Sequence, residues 1–186
     1  MIKAVFFDVD GTLVSHKSKS IPDSAKQALI TLRKKGIKVF LSTGRHIREL
    51  KNMPTNEVEF DGYILLNGQL GLDENQNLVF SNPFSKEDVN GLLDIFHKKE
   101  YPFVLVNTEG HYMNFINEFV EVAMEGVSTA VPPIKEYHGE ELYQATVFAL
   151  PEKDNEFSKQ LPKGCKMARW GKHGADIIAT DGGKAV

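Results

Sequence analysis

The sequence predicts an α/β protein: a parallel-sheet core that starts at the N-terminus and is interrupted by an inserted α+β unit. Three observations carry this expectation. Two short apolar runs, Lys3 to Phe7 and Ile37 to Leu41, are joined by an amphipathic stretch, as in a strand, helix, strand crossover. A third apolar run, Gly62 to Leu66, adds another strand. From about Pro83 the pattern changes character, and a new alternation of helical and strand-like segments begins.

The elements follow in order. Lys3 to Phe7 (KAVFF) is apolar and β-prone after its first residue and stops at an aspartate, as a buried parallel strand does. Pro22 to Lys35 predicts a helix with Asp23 or Ser24 as its cap and an apolar stripe of Ala25, Ala28, Leu29 and Leu32. Gly36 ends it behind a basic last turn. Ile37 to Leu41 repeats the strand pattern, so the connection is long enough for a right-handed crossover. His46 to Met53 predicts a short helix. Asn67-Gly68 signals a turn, and the stretch to Phe80 reads as a hairpin.

Beyond the boundary, Lys86 to Lys99 shows helical periodicity at Val89, Leu92, Leu93 and Phe96. A strand over Phe103 to Val106, a turn at Glu109-Gly110, a helix over Asn117 to Met124 and a β run from Gln144 to Leu150 complete the alternation. Asp176 to Ala179 (DIIA) reads as the run that brings the chain back. The expected division is therefore a core of 1–82 with 177–186 and an insert of 83–176.

Composition narrows the partners. A chain of 186 residues with 41% hydrophobic content can bury a core, and a net charge of −3 from dispersed ions argues against a nucleic-acid binder. A small diffusible ligand is the better expectation. MIKAVFFDVDG is neither a signal peptide's apolar region nor a membrane span, so a cytoplasmic protein is expected. Cys165, a lone cysteine, has no disulfide partner in the chain, and the six histidines show no metal-ligand spacing.

The chemistry concentrates in Asp8-Val9-Asp10-Gly11-Thr12-Leu13, at the carboxyl end of the first strand, where open α/β sheets bind ligands. Asp8 and Asp10 are two apart and share a face in strand geometry, while Gly11 lets the chain turn and present backbone amides. Neighbouring carboxylates repel, and a divalent cation keeps at least one of them ionised; oxygen donors select magnesium over softer metals. The competing reading is a polar turn that merely looks like a calcium loop. An aspartate after an apolar strand is common, but the full hexapeptide at the very start of an α/β chain favours a site. After the second strand, Ser42-Thr43-Gly44-Arg45 offers a hydroxyl and a glycine amide of the kind that meets phosphate oxygens. Ser-Thr-Gly also occurs in ordinary turns.

Taken together, DVDGTL after the first strand, STGR after the second, LLNG after the third, and an insertion that returns at a GK resemble the haloacid-dehalogenase-like phosphatases. The closer similarity is to their Cof-like branch of sugar-phosphate phosphatases, along essentially the whole chain. The resemblance implies a Rossmann-like core, incomplete here, with an inserted α+β cap domain. It implies a magnesium-dependent phosphatase acting on a small phosphorylated metabolite such as a sugar phosphate, with no nucleic-acid or membrane partner. Asp8 would attack phosphorus and form an aspartyl-phosphate; Asp10 would protonate the leaving alcohol and then activate water. The Asp8 carboxylate and the Asp10 backbone carbonyl would hold Mg2+, Thr43 and Gly44 the phosphoryl group, and Lys184 would neutralise it. Arg45 and Asn67 read either as substrate contacts or as loop and turn residues.

Two departures matter. The family's fourth motif, an acidic GDGxND-like loop, would lie beyond Val186, so the sequence reads as the front part of a longer enzyme. The alternative is a shortened phosphate-binding protein with little activity. ATDGGK also differs from the family's usual lysine-rich run around Lys184. A phosphomutase is the nearest enzymatic alternative. A receiver-like signalling module belongs to another class, and the D-x-D pattern with an insertion of roughly ninety residues argues against it.

Overall fold

The computed structural model describes residues 2–15 and 17–184. Packing divides the chain into two compact units, one of residues up to 81 together with Lys184, the other of residues 82–183.

The first unit is built on a five-stranded sheet whose spatial order is the chain order: β1 (Ala4–Phe7), β2 (Lys38–Ser42), β3 (Gly62–Leu65), β4 (Leu70–Asp73) and β5 (Leu78–Ser81). β1, β2 and β3 are parallel, and β4 and β5 continue as an antiparallel hairpin. The β1–β2 crossover contains α1 (Asp23–Lys34), which buries Leu29. Its cap differs from expectation. Pro22 is the N-cap, with no side-chain capping bond, and the Asp23 side chain is solvent-exposed. The proline ring fixes φ, here −58°, so the chain enters the helix without a side-chain acceptor. Ion pairs of Lys26 with Glu57 and of Arg33 with Glu59 and Asp61 tie α1 to the segment before β3.

Two ring-over-glycine pairs mark this sheet. Phe40 faces Gly62 and Phe80 faces Gly71 across neighbouring strands, and a Cβ on either glycine would fall 3 Å or closer to the opposing ring: 2.9 Å at Gly62 and 2.0 Å at Gly71. Phe6 of β1 stacks on Phe40 with centroids 4.9 Å apart.

The second unit holds a wholly antiparallel sheet of β6 (Phe103–Asn107), β7 (Gly110–Met113), β8 (Gln144–Val147), β9 (Cys165–Arg169) and β10 (Ala175–Ala179), in the order β7-β6-β8-β10-β9. Asn107 closes the β6–β7 turn by accepting from the amides of Glu109 and Gly110. Helices α3 (Lys86–Lys98) and α5 (Asp154–Ser158) contribute Leu92, Phe96 and Phe157 to a core with Phe103, Leu105 and Ile177. Ser85 caps α3 and Asn117 caps α4 (Glu118–Gly126) through their side chains.

The expected boundary at 177 is corrected. Ala175 to Ala179 does not lead back to the first sheet; it is β10, paired with β8 on one side and β9 on the other, and the second unit extends to 183. An apolar run signals burial but not which sheet provides it. Among the described residues, no helix is long and apolar enough to cross a membrane.

Candidate active site

β1 delivers the chain into a tight turn. The amides of Gly11, Thr12, Leu13 and Val14 donate to the carbonyls of Val14, Val9, Asp8 and Val9 respectively, at 2.9–3.3 Å. These amides therefore close the turn instead of facing outward as the sequence suggested. Gly11 sits at φ 77°, a conformation that suits a residue without a side chain. Val9 is fully buried, and the two aspartates flank it with their carboxylates accessible.

Each carboxylate has its own cation. Lys184 Nζ lies 2.6 Å from Asp8 Oδ1, and the Thr12 hydroxyl donates more weakly to Asp8 Oδ2 at 3.4 Å. Arg45 grips Asp10 at two points, Nε to Oδ2 at 2.8 Å and Nη2 to Oδ1 at 2.9 Å. Such a planar two-point contact fixes orientation as well as charge. Burial alone would lower the Arg45 pKa, but the bonds to Asp10 and the charges of Asp10 and Glu49 outweigh it and hold it above its usual value. The cluster is thus charge-balanced, two carboxylates against two cations.

Thr43, Gly44 and Arg45 follow β2. Thr43 is almost wholly buried; its Oγ1 accepts from the Arg45 amide at 3.2 Å, which leaves the hydroxyl hydrogen available to donate. The backbone here is stitched to the β3 exit: Thr43 N to Ile64 O at 2.9 Å, Asn67 N to Thr43 O at 3.1 Å and Leu66 N to Arg45 O at 3.3 Å. Asn67 adopts a left-handed conformation, φ 56° and ψ 34°, one that asparagine tolerates. Its side chain lies over Gly44, where a Cβ would come within 2.9 Å of the Asn67 amide atoms. The next residue but one, His46, is buried and caps the single turn α2 (Ile47–Leu50), accepting from Arg48 N while Glu49 accepts from His46 N.

The structure thus brings Asp8 to Lys184, Asp10 to Arg45, and Thr43 and Gly44 to the turn at Asn67. The sequence reading missed the Arg45–Asp10 contact and the small contribution of Thr12. Local pattern gives no signal for the first, because its partners are 35 residues apart.

The family model described as haloacid dehalogenase-like hydrolase matches residues 5–186. The chain belongs to the haloacid dehalogenase-like hydrolases. Among its relatives in that family is the candidate phosphatase YkrA of Bacillus subtilis (strain 168), 27% identical over 188 residues, which span 98% of this chain and 70% of that protein. A candidate bifunctional phosphatase/peptidyl-prolyl cis-trans isomerase of Streptococcus pyogenes serotype M6 is 23% identical over all of this chain but only 39% of its own length. Among solved haloacid dehalogenase-like structures, BT1666 from Bacteroides thetaiotaomicron, a phosphatase of the superfamily, superposes with a TM-score of 0.86 at 26% identity and covers 100% of this chain and 69% of its own. The subclass IIB sugar phosphatase BT4131 gives 0.81 at 29% identity, covering 98% of this chain and 72% of its own.

Proposed function

We propose that this hydrolase is a phosphatase of a small phosphorylated metabolite, a sugar phosphate, working through a phosphorylated Asp8. The observation that supports it most is the pairing at the tip of β1: Asp8 faces the Lys184 ammonium at 2.6 Å, and Asp10, two residues on, is held at two points by Arg45. A nucleophile needs a cation beside it to accept the phosphoryl charge, and an acid needs a fixed orientation toward the leaving oxygen.

In the first step Asp10, released from Arg45 and carrying a proton taken from solvent, gives that proton to the leaving oxygen as an Asp8 carboxylate oxygen bonds to phosphorus and the bond to the leaving oxygen breaks. In the second, Asp10 takes a proton from water as the water oxygen attacks phosphorus, releasing phosphate and restoring Asp8. Lys184 turns from Asp8 to the phosphoryl oxygens, and Thr43 donates its hydroxyl to them. Arg45 holds Asp10 in place whenever Asp10 is ionised. The unit 82–183 serves as the cap that selects the substrate.

Asp8 and Asp10 also suit a magnesium ion. Among the described residues no group of three His, Cys, Asp or Glu gathers to hold a metal, so a fully protein-lined cage does not fit. Magnesium asks for less: one or two carboxylates with water and substrate phosphate. The Asp8 carboxylate and the Asp10 carbonyl, which accepts no hydrogen bond from the described residues, are hard oxygen donors of that kind. When bound, the ion would offset charge on the phosphate oxygens.

The test is phosphate release from p-nitrophenyl phosphate and a panel of sugar phosphates by the full-length enzyme, with and without Mg2+. Metal-dependent release that disappears in Asp8→Asn is expected. Unaltered turnover in that variant would sink the assignment of the nucleophile.

A further inference from the structure

Arg45 is held by its backbone as well as by its contact with Asp10. Its amide donates to Thr43 Oγ1 at 3.2 Å, its carbonyl accepts from Leu66 N at 3.3 Å, and the amide of the following residue, His46, donates to Glu49 Oε2 at 2.7 Å. The last of these three bonds is the shortest and the one made to a charged side chain. Glu49 belongs to α2, which has four residues, far fewer than a helix needs to sustain itself, so its shape depends on local ties. They are present at both ends. His46 Nδ1 accepts from Arg48 N at 3.1 Å, Glu49 N donates to His46 O at 3.0 Å, and Leu50 is buried.

We propose that Glu49 is a positioning residue for Arg45: its carboxylate fixes the peptide that follows Arg45 and so sets where the guanidinium meets Asp10. The inference rests on the reading that Asp10 activates water while Arg45 holds it. All of these residues lie in the first unit. The Arg45 side chain is 10% exposed, so it works in a narrow space, and a two-point contact at 2.8 and 2.9 Å keeps both of its bonds only if the root of the side chain stays put. A carboxylate on a backbone amide is a charge-assisted bond, stronger than a neutral acceptor would make, and suits the task of holding that root. The Glu49 charge acts on the guanidinium as well: burial works against the Arg45 cation, and Asp10 and then Glu49 favour it.

The experiment separates the two half-reactions on p-nitrophenyl phosphate by rapid quench of the full-length enzyme with Mg2+. Release of p-nitrophenolate in the first turnover reads attack by Asp8, and decay of phosphorylated Asp8 reads its hydrolysis. Glu49→Ala is expected to slow the decay roughly tenfold and to leave the first turnover within about twofold of the parent, because Arg45 holds Asp10 when it is ionised and the readily departing p-nitrophenolate asks little of an acid. Glu49→Gln, which keeps an acceptor for the His46 amide, should restore most of the loss. In an Arg45→Met background Glu49→Ala should add nothing further. The role of Glu49 is overturned by equal slowing of both half-reactions, by a parental decay in Glu49→Ala, by a Glu49→Gln variant as slow as Glu49→Ala, or by equal losses with and without Arg45. Asp10→Asn distinguishes that failure from failure of the reading beneath it. Slow decay in Asp10→Asn beside parental decay in Glu49→Ala removes Glu49 alone; parental decay in Asp10→Asn, or a parent enzyme that never carries phosphate on Asp8, removes both. Should Glu49→Ala fail to fold, Glu49→Leu, which keeps bulk and helix propensity but offers the amide no acceptor, runs the same comparison. A loss confined to the decay supports the role there, and no loss refutes it.

Discussion

The two sheets use their strands differently. In the second unit β6 and β8 are buried at every position, so both faces of the central strands serve packing. In the first unit β5 is exposed at every position and Phe6 of β1 is 53% exposed, while Asp8, Asp10, Thr43, Arg45 and Asn67 all stand just past the ends of β1, β2 and β3. The contrast separates two demands. The first sheet sets its charged site residues just past its strand ends, and β6 and β8 of the second put every position into packing.

The contrast breaks if site variants destabilise the fold or if packing variants alter the chemistry before they unfold it. The largest expected effect is in the first unit: Asp8→Asn should cost on the order of 10⁴-fold or more in turnover, as loss of a nucleophile does. Its melting temperature should stay near that of the parent, and a collapsed melt would show that Asp8 also holds the fold. Next comes Phe103→Ala, at a fully buried core position against Phe157. By urea titration it should lose about 3–5 kcal/mol of stability, while the folded fraction keeps its kcat.

A smaller effect sharpens the comparison through pH. Burial would raise the Asp61 pKa, but the Val39 amide, Lys38 and Arg33 outweigh it and hold it below its ordinary 3.8. A depressed folded pKa means stability that is present above the unfolded value and lost as pH falls on through the lower folded value. Asp61→Asn should therefore cost about 1–2 kcal/mol at neutral pH, and the gap should close in acid; a constant gap would remove the ionic explanation. The smallest expected effect is none at all. Burial first, and the Asp88 charge second, push the Cys165 thiol up to about 12, so the folded protein should resist iodoacetamide at pH 8. Rapid labelling would show that this part of the second core opens.

The legible parts of the sequence were those where chemistry is local. DVDGTL, STGR and LLNG each lie within one turn at a strand end, so a few adjacent residues mark the candidate site, and α1, α3 and the first three strands followed from period and length. Long-range pairings were not legible: Arg45 reads equally as a substrate contact or a loop residue until the fold brings Asp10 to its guanidinium. β9 and α5 also escaped notice. CKMAR carries charges at Lys166 and Arg169 that blur the alternation of a strand, and only Phe157 of α5 is buried. DIIA announced burial correctly and pointed to the wrong sheet, because two buried strands look alike in sequence.

The glycines facing Phe40 and Phe80 have a consequence for the history and handling of the hairpin. A one-residue slide of β5 would turn Phe80 to the opposite side and leave the hollow above Gly71 empty, so a misaligned pairing loses its best contact at once. Neither member of such a pair can be exchanged freely: a larger residue at 62 or 71 evicts the ring, and a smaller one at 40 or 80 uncovers bare backbone. Viable changes must arrive in matched couples, which makes these four positions a poor place for single-site redesign.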